Sequence, residues 1–282
     1  MINRYSRQAG FLHLPNDNMI KTVGVALVLC LVCSVVVSGA ATLLKPQQVA
    51  NKLLDKKANI LAVSGIELEG RSVDEVFAQI ETRVIDVASG QYNEEIDAQT
   101  YDQRKASKDP SMTLALSAGD NQAKIVGLPK YASVYLVNKD EQLDKIILPI
   151  EGYGLWGTLY GFIALESDAT TVSSITFYEH KETPGLGGEV ENKKWQASWA
   201  GKQIINDSGE PVLSLIKGTV GPDTKDPQYK IDGLAGATLT SNGVSNMVKF
   251  WMGDKAFGPY LNRLRSKKAQ ARRTTIVNDE RA

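Results

Sequence analysis

The stretch Asp232-Gly-Leu-Ala-Gly-Ala-Thr-Leu-Thr240 places small residues around a threonine hydroxyl, directly before a helical pattern. Apolar residues recur there at the i, i+3, i+4 and i+7 positions of one helical face: Val244, Met247, Val248 and Trp251. Thr240, Ser241 or Asn242 can serve as the N-cap of this helix. Because the free amides and the dipole of a helix N-terminus favour a phosphate, the stretch is interpreted either as a phosphate-binding turn or as a plain turn.

Residues 22–44 form a second informative segment, because they contain no charged side chain. A helix needs about 20 apolar residues to span a bilayer, so this segment predicts a transmembrane helix. The alternative is a cleaved secretory signal, since basic residues precede the segment and Ser38-Gly39-Ala40 resembles a cleavage site. The apolar core of a signal is normally about 7 to 15 residues long, which favours a retained anchor. Lysines and arginines on both sides leave the orientation undecided.

The net charge of zero conceals an uneven distribution. Residues 1–21, a short N-terminal segment, carry three Lys or Arg and one Asp, and residues 259–282, a basic C-terminal tail, carry seven Lys or Arg and two acidic residues. The residues between them must therefore be acidic overall, which makes a poor surface for nucleic acid. The tail is interpreted as a solvated or frayed end, with contact to lipid or to a partner protein as the alternative.

Cysteine and histidine are scarce, and this excludes several kinds of site. Cys30 and Cys33 lie within the apolar span, so the rest of the chain has no thiol for a disulfide, a zinc site or an iron–sulfur cluster. Packing within the span is the plain interpretation of this pair, and a ligand role shared with the span of a partner protein is the alternative; no other metal site is predicted. A Ser-His-Asp hydrolase would have to use His180. Any redox role must therefore rest on an organic cofactor.

The residues after the span predict an α+β fold. Ser72 and Glu75 form a capping box ahead of an amphipathic helix that extends to Val87, and residues 47–60 predict another helix. Residues 90–112 are polar and predict a long loop, so residues 45–130 are expected to be rich in helices and loops. β-branched and aromatic residues predict strands at 133–137, 143–150, 158–165, 172–178 and 212–216, the first two joined as a hairpin by a five-residue loop.

The stretch Gly152-Tyr-Gly-Leu-Trp-Gly157 matches the dinucleotide-binding pattern Gly-x-Gly-x-x-Gly, but its context does not. The pattern requires a helix to begin at these glycines. Residues 158–165 have the composition of a strand instead, and Gly161 would interrupt a helix. A glycine-rich hairpin is therefore predicted, and a nicotinamide-binding fold is rejected.

Three motifs in the same order resemble those of FMN-binding domains. Asp232 to Thr238 resembles their flavinylation motif, in which the threonine after Gly-Ala is joined to FMN; the family usually has Ser or Thr where this chain has Ala235. Residues 153–157, Tyr-Gly-Leu-Trp-Gly, and residues 182–187, Glu-Thr-Pro-Gly-Leu-Gly, resemble the family's other flavin loops. With the N-terminal span, the chain resembles the NqrC family of the sodium-translocating NADH:quinone reductases, and the RnfG family of the related Rnf complex is the close alternative.

The resemblance implies a single N-terminal transmembrane helix followed by a mixed α/β FMN-binding domain at residues 131–258. FMN would be held covalently, by a phosphoester to Thr238. Asp232 would position the attachment loop or a metal used during attachment, and Lys217 could counter the phosphate charge. The other implied cofactor-binding residues are Leu155, Trp156, Gly157, Glu182, Thr183, Leu186, Gly187, Gly236, Ala237 and Thr240.

The resemblance also implies a function and partners. The chain would be an electron carrier in the sodium-pumping NADH:ubiquinone oxidoreductase, a translocase, and would contact the other subunits of that membrane complex and the lipid bilayer. A separate flavin transferase would load the flavin from FAD. The main domain would lie on the periplasmic side of the bacterial inner membrane. A non-redox, membrane-tethered interaction domain is the alternative outside electron transfer.

Overall fold

The computed structural model describes Pro15 and residues 18–279, and describes side chains as far as residue 270. The chain divides into two compact units, Met1–Leu54 and Asp55–Ala282. Most of the predicted N-terminal segment, residues 1–21, lies outside the described residues.

One long helix, α1 (Met19–Ser64), contains the predicted transmembrane segment. Within the described residues it is the one helix long and apolar enough to cross a membrane, with a mean hydropathy of 2.6 in its most apolar window. The predicted helix at 47–60 is helical but not separate, because α1 continues through Pro46 without a break. The last turns of α1 are buried, at Ile60, Leu61 and Val63.

The other helices are shorter. They are α2 (Val73–Phe77), α3 (Gln103–Ala106), α4 (Lys193–Ala197), α5 (Thr238–Met252) and α6 (Gly258–Asp279). The expectation of a solvated tail from residue 259 is wrong for its first turns, since Tyr260 and Leu261 are buried in α6. Arg265 also donates a hydrogen bond of 2.8 Å to the carbonyl of Ala169. The first turns of α6 therefore belong to the folded domain.

Five of the nine described strands lie at the predicted positions. In chain order the nine described strands are β1 (Glu81–Asp86), β2 (Thr113–Leu114), β3 (Leu128–Pro129), β4 (Tyr131–Lys139), β5 (Gln142–Tyr153), β6 (Thr158–Glu166), β7 (Val172–Glu179), β8 (Ser214–Leu215) and β9 (Lys230–Ile231). The main sheet has the order β1-β4-β5-β6-β7, with every neighbouring pair antiparallel. β2 pairs with β3, and β8 pairs with β9 in parallel.

The predicted helix from Val73 to Val87 is wrong in its second half. The capping box is present, since Ser72 Oγ accepts from Glu75 N–H at 3.3 Å and Glu75 accepts from Ser72 N–H at 2.8 Å. The helix nevertheless ends at Phe77, and residues 81–86 form β1. Thr82, Val84 and Ile85 are β-branched and pair with β4, so pairing in the sheet outweighs the helical spacing of the apolar residues.

Residues 90–112 are largely loop, as predicted, with α3 and a 3₁₀ turn at Pro110–Met112. The β4–β5 hairpin is confirmed, but its loop is shorter than predicted. Only Asp140 and Glu141 connect the strands, and both have positive φ, 50° and 61°, as a type I′ turn requires. Because β1 and β4 are neighbours in one sheet, residues 81–86 share that sheet with the strands of the predicted FMN-binding domain.

The main sheet carries a hydrophobic core on each face, because successive side chains of a strand point to opposite sides. One face packs on the end of α1 and on α2, through residues that include Ile60, Val76, Tyr135, Ile147 and Phe162. The other face packs on α5, through residues that include Val134, Ile146, Leu148, Ile163, Val244, Met247, Val248 and Trp251. This second core fixes α5, and with it the Asp232–Thr240 segment, against the end of β5.

Candidate functional site

The glycine-rich stretch at residues 152–157 is a hairpin turn between β5 and β6, as predicted. Gly154 N–H donates to the carbonyl of Gly157 at 2.8 Å, which closes the turn. Leu155 and Trp156 form its tip, and their side chains are 40% and 62% exposed. The turn therefore presents two apolar side chains to solvent on a short, hydrogen-bonded backbone.

The loop that follows β7 folds back on itself at Pro184 and Gly185. Gly185 has φ +76°, which suits a residue without a side chain. The carbonyl of Thr183 accepts from Leu186 N–H at 3.1 Å and from Gly188 N–H at 2.9 Å. Thr183 and Leu186 are exposed, whereas Gly187 is buried. The loop is thus a compact turn that holds Leu186 at the surface.

The Asp232–Thr240 segment leads directly into α5. Asp232 is held on both sides, because its Oδ1 accepts from Val220 N–H at 2.7 Å and its carbonyl accepts from Trp195 Nε1–H at 2.9 Å. Gly236 has φ +69° and turns the chain toward Ala237, which is buried. Thr238 is the first residue of the helix and is exposed.

The predicted N-cap role of Thr240, Ser241 or Asn242 is wrong. The N-cap is Ala237, and no side chain caps the helix. Thr240 lies within the first turn, is fully buried and donates its hydroxyl elsewhere. The first amides of this 15-residue helix therefore keep their capacity to bind an anion, and Thr238, an exposed residue, lies beside them.

One buried carboxylate brings the three motifs together. Glu182 accepts hydrogen bonds at Oε1 from Leu155 N–H at 3.0 Å and Trp156 N–H at 2.9 Å. Its Oε2 accepts from Thr240 Oγ1–H at 2.5 Å. Leu186 also lies against Gly236, since a Cβ on Gly236 would be 2.9 Å from Leu186 Cδ2. The three stretches of sequence thus form one site around the start of α5.

The composition of this site fits a phosphate joined to a flat apolar ring. An uncapped helix start suits a phosphate, and the exposed apolar side chains of Leu155, Trp156 and Leu186 suit a ring. Gly157 leaves its loop without a side chain, and a Cβ there would lie 3.1 Å from Lys181 Cδ. The arrangement matches the flavin and phosphate that the sequence motifs imply.

Lys217 is placed on the same corner of the fold, but its side chain is not tied to the helix start. Its neighbour Ile216 donates its N–H to the carbonyl of Ile231 at 2.9 Å, and the carbonyl of Gly218 accepts from Gly233 N–H at 2.8 Å. The Lys217 side chain is exposed, and no hydrogen bond within residues 18–270 links it to Thr238.

Ser245 and Gly243, which position α5, were not predicted as site residues, and Ser241 was predicted only as a possible N-cap. Ser241 Oγ accepts from Leu234 N–H at 3.0 Å, and Ser245 Oγ accepts from Leu215 N–H at 2.9 Å. Gly243 lets the helix approach the glycine turn, because a Cβ there would lie 2.4 Å from the carbonyl oxygen of Tyr153. Two serines four residues apart on the apolar face of a helix were the available signal.

His180 and the two cysteines are not part of this site. His180 Nδ1 accepts from Glu182 N–H at 3.1 Å, and its Nε2 lies 3.0 Å from Glu191 Oε1. These contacts support the loop after β7, and none of the described hydroxyl groups hydrogen-bonds to this ring, as a Ser-His-Asp triad requires. Cys30 and Cys33 are exposed on α1. Within the described residues, no cluster of His, Cys, Asp or Glu has the geometry of a metal site.

Comparison with known proteins places the chain in a family. The FMN-binding domain family matches residues 154–253. The C subunit of the Na(+)-translocating NADH-quinone reductase of Pseudomonas aeruginosa is 48% identical over 257 residues, which span 90% of this chain and 98% of that protein. The corresponding protein of Vibrio vulnificus (strain YJ016) is 47% identical over 251 residues, which span 89% and 97% of the two chains.

Two solved structures are similar in fold to this chain. The crystal structure of Shewanella oneidensis NqrC superposes with a TM-score of 0.71 at 30% identity and covers 77% of this chain and 99% of that chain. The crystal structure of the corresponding protein from Parabacteroides distasonis has a TM-score of 0.60 at 27% identity, over 77% and 96% of the two chains. The chain therefore belongs to the NqrC family of the Na(+)-translocating NADH-quinone reductases and contains its FMN-binding domain.

Proposed function

We propose that this chain is a membrane-anchored electron carrier whose FMN is joined through its phosphate to Thr238. The observation that carries the proposal is the contrast between two threonines of α5. Thr238 is exposed at the uncapped helix start, whereas Thr240 is buried and donates to Glu182. Of the two, only Thr238 has a hydroxyl that an attachment reaction can reach. When bound, FMN supplies a ring that accepts and releases electrons.

Different residues around Thr238 would bind the phosphate and the ring of FMN. The uncapped amides of α5 face the phosphate, and Leu155, Trp156 and Leu186 pack against the ring. Thr183, Gly157, Gly187, Gly236 and Ala237 contribute backbone or small side chains that allow close approach. Asp232 keeps the attachment segment in place through its hydrogen bond from Val220 N–H. Lys217 contributes positive charge from the neighbouring loop.

The relatives' names support a place in a larger complex. They are subunits of a sodium-translocating NADH:quinone reductase, so the chain would pass electrons between the other subunits of such a complex in the bacterial inner membrane. None of the relatives described above is named as part of an Rnf complex. A separate flavin transferase with FAD as donor would attach the FMN, which agrees with the exposure of Thr238.

Replacing Thr238 with valine tests the attachment. Valine keeps the branched shape but removes the oxygen of the phosphoester, so the variant co-expressed with a flavin transferase should lose the mass of one FMN and its fluorescence after denaturation. Thr219→Val is the matched control, because Thr219 is an exposed threonine of a neighbouring loop. It should keep both signals. Covalent flavin on the denatured Thr238→Val chain would refute the assignment.

The orientation of the anchor has its own test. With α1 as the membrane span in contact with bilayer lipids, the domain after it is proposed to be periplasmic. A reporter enzyme that is active only in the periplasm, fused after residue 282, should therefore be active. Activity of a cytoplasmic reporter at the same position would reverse the orientation, and recovery of a soluble chain that begins near residue 41 would exclude the anchor.

A further inference from the structure

We infer that Glu182 is a positioning residue. Its buried carboxylate holds the first turn of α5 so that Thr238 faces outward, and it ties this turn to the Leu155–Trp156 hairpin turn. The inference rests on the proposed function, and it gives Glu182 a different role from that of a cofactor ligand. Glu182 is 5% exposed, and both of its carboxylate oxygens already accept hydrogen bonds from the protein.

The carboxylate depends on these hydrogen bonds. Among the described residues no ion pair includes Glu182, so the bonds from Leu155 N–H, Trp156 N–H and Thr240 Oγ1–H are what stabilises the buried group. A buried carboxylate without such donors is strongly destabilising. The Leu155–Trp156 turn and the first turn of α5 are therefore each held to Glu182, and through Glu182 to each other.

The hydrogen bond from Thr240 holds the first turn of α5 in the orientation that the buried face of the helix requires. Residues two apart in an α-helix lie roughly 200° apart around its axis. Holding the Thr240 hydroxyl inward against Glu182 therefore turns Thr238 to the opposite, outer side, where it is exposed. A rotation of the first turn would carry the Thr238 hydroxyl away from solvent.

Two glycines are placed to allow this arrangement. A Cβ on Gly154 would lie 2.5 Å from Glu182 Oε1. A Cβ on Gly187 would lie 2.6 Å from Glu182 Oε2 and 2.6 Å from Thr240 Oγ1. No side chain fits at either position without moving the carboxylate or the hydroxyl. Both loops are thus shaped around this group of hydrogen bonds.

The test compares variants that keep the hydrogen bonds with variants that remove them. Glu182→Gln keeps an acceptor for the two amides and gains an NH₂ group that can donate to the Thr240 oxygen, whereas Glu182→Met has similar volume and no strong acceptor. Thr240→Ser keeps the hydroxyl and Thr240→Val removes it. The matched control is Glu95→Met, at an exposed glutamate of the long loop after β1.

The first measurement uses the full chain expressed without a flavin transferase, so that no flavin contributes. In Glu182→Met, amide hydrogen exchange should become about tenfold faster or more both at residues 155–156 and at residues 241–242, as expected when hydrogen bonds to a charged group are lost. Exchange in Glu182→Gln, in Thr240→Ser and in the Glu95→Met control should stay within about threefold of exchange in the native chain. A threefold change is well below the effect of losing one such hydrogen bond.

The second measurement is the rate at which a flavin transferase adds FMN, followed by mass spectrometry. The rate should fall about tenfold or more in Glu182→Met and Thr240→Val, and far less in Glu182→Gln and Thr240→Ser, if misplacing the hydroxyl by about 1 Å slows the reaction. If Glu182→Met does not fold, the Thr240→Val and Thr240→Ser pair decides the outcome, since both leave the carboxylate in place.

The inference would be overturned if Glu182→Met and Glu182→Gln, or Thr240→Val and Thr240→Ser, gave the same exchange and attachment rates. These side chains would then only fill space. Faster exchange confined to residues 155–156 would also overturn it. Covalent flavin on Thr238→Val would refute the proposed function alone, since hydrogen exchange in the flavin-free chain does not depend on where FMN is attached.

Discussion

Replacing Gly243 with alanine should destabilise the domain, although the same change inside most helices is stabilising. Gly243 lies in α5 where the helix crosses the end of β5. A Cβ there would be 2.4 Å from the carbonyl oxygen of Tyr153 and 3.1 Å from Gly154 Cα. Ordinary contact begins near 3.4 Å, so helix and turn must separate by about 1 Å.

Two opposing effects set the magnitude. Alanine is favoured over glycine in a helix interior by about 1 kcal/mol. Overpacking costs about 1–3 kcal/mol, and a contact with rigid backbone places this site at the upper end of that range. The free energy of unfolding should thus fall by about 2 kcal/mol. In a domain of this size that corresponds to a melting temperature lower by about 4–8 °C.

The assay is thermal unfolding of the full chain, followed by circular dichroism, with Asn242→Ala as control. Asn242 is exposed on the same helix, so its replacement should raise the melting temperature slightly through helix propensity alone. In the flavin-loaded chain, Gly243→Ala should also change the flavin absorption spectrum, because the displaced backbone leads directly into Leu155 and Trp156. A Gly243→Ala chain as stable as the control variant would refute this account of the packing.

Two further predictions concern the ring and a buried acid. Leu186→Ala and Trp156→Ala should keep the mass of covalent FMN but alter its spectrum or its reduction; unchanged spectra in both would place these residues outside the ring's surroundings. Burial raises the pKa of Glu151 to about 7 from its ordinary 4.5, against the opposing effect of Arg104 and Lys108. The folded chain then holds a proton that the unfolded chain releases, so the native free energy of unfolding should fall as the pH rises from 4.5 to 7, by up to roughly 3 kcal/mol. Glu151→Gln should lack this loss in urea unfolding at pH 8; equal pH dependence in both chains would contradict the assignment.

The glycine-rich hairpin could be predicted from sequence because local chemistry decided it. The β-branched and aromatic residues after Gly157 favour a strand, and β6 is the result. The prediction of a helix as far as Val87 is wrong because the local sequence fits both a helix and a strand. Val76, Ile80 and Val84 are four residues apart and fit a helical face, but Val84 and Ile85 also fit a strand. Pairing with β4, which is distant in sequence, decided between the two.

The role of Thr240 at the site also depends on a residue distant in sequence, so local sequence could not predict it. A threonine near a helix start is typical of an N-cap, and nothing local argues against it. Its actual partner, Glu182, is 58 residues away in the chain. The resemblance implied that both residues lie near the flavin, but only the folded structure shows that Thr240 donates to Glu182. Ser241, predicted only as a possible N-cap, and Ser245 likewise accept from backbone amides that only the folded chain brings to them.

The two ends of the loop between β8 and β9 are held together by hydrogen bonds. The position of the site residues therefore does not depend on the length of this loop. The parallel pair, the bond from Gly233 N–H to Gly218 O and the Asp232 carboxylate on Val220 N–H hold the two ends together. The closure entropy of such a loop grows slowly, by about 0.6 kcal/mol for each doubling of length. Residues can therefore be inserted into the largely exposed segment 222–228, or a spectroscopic label attached there, without displacing Asp232.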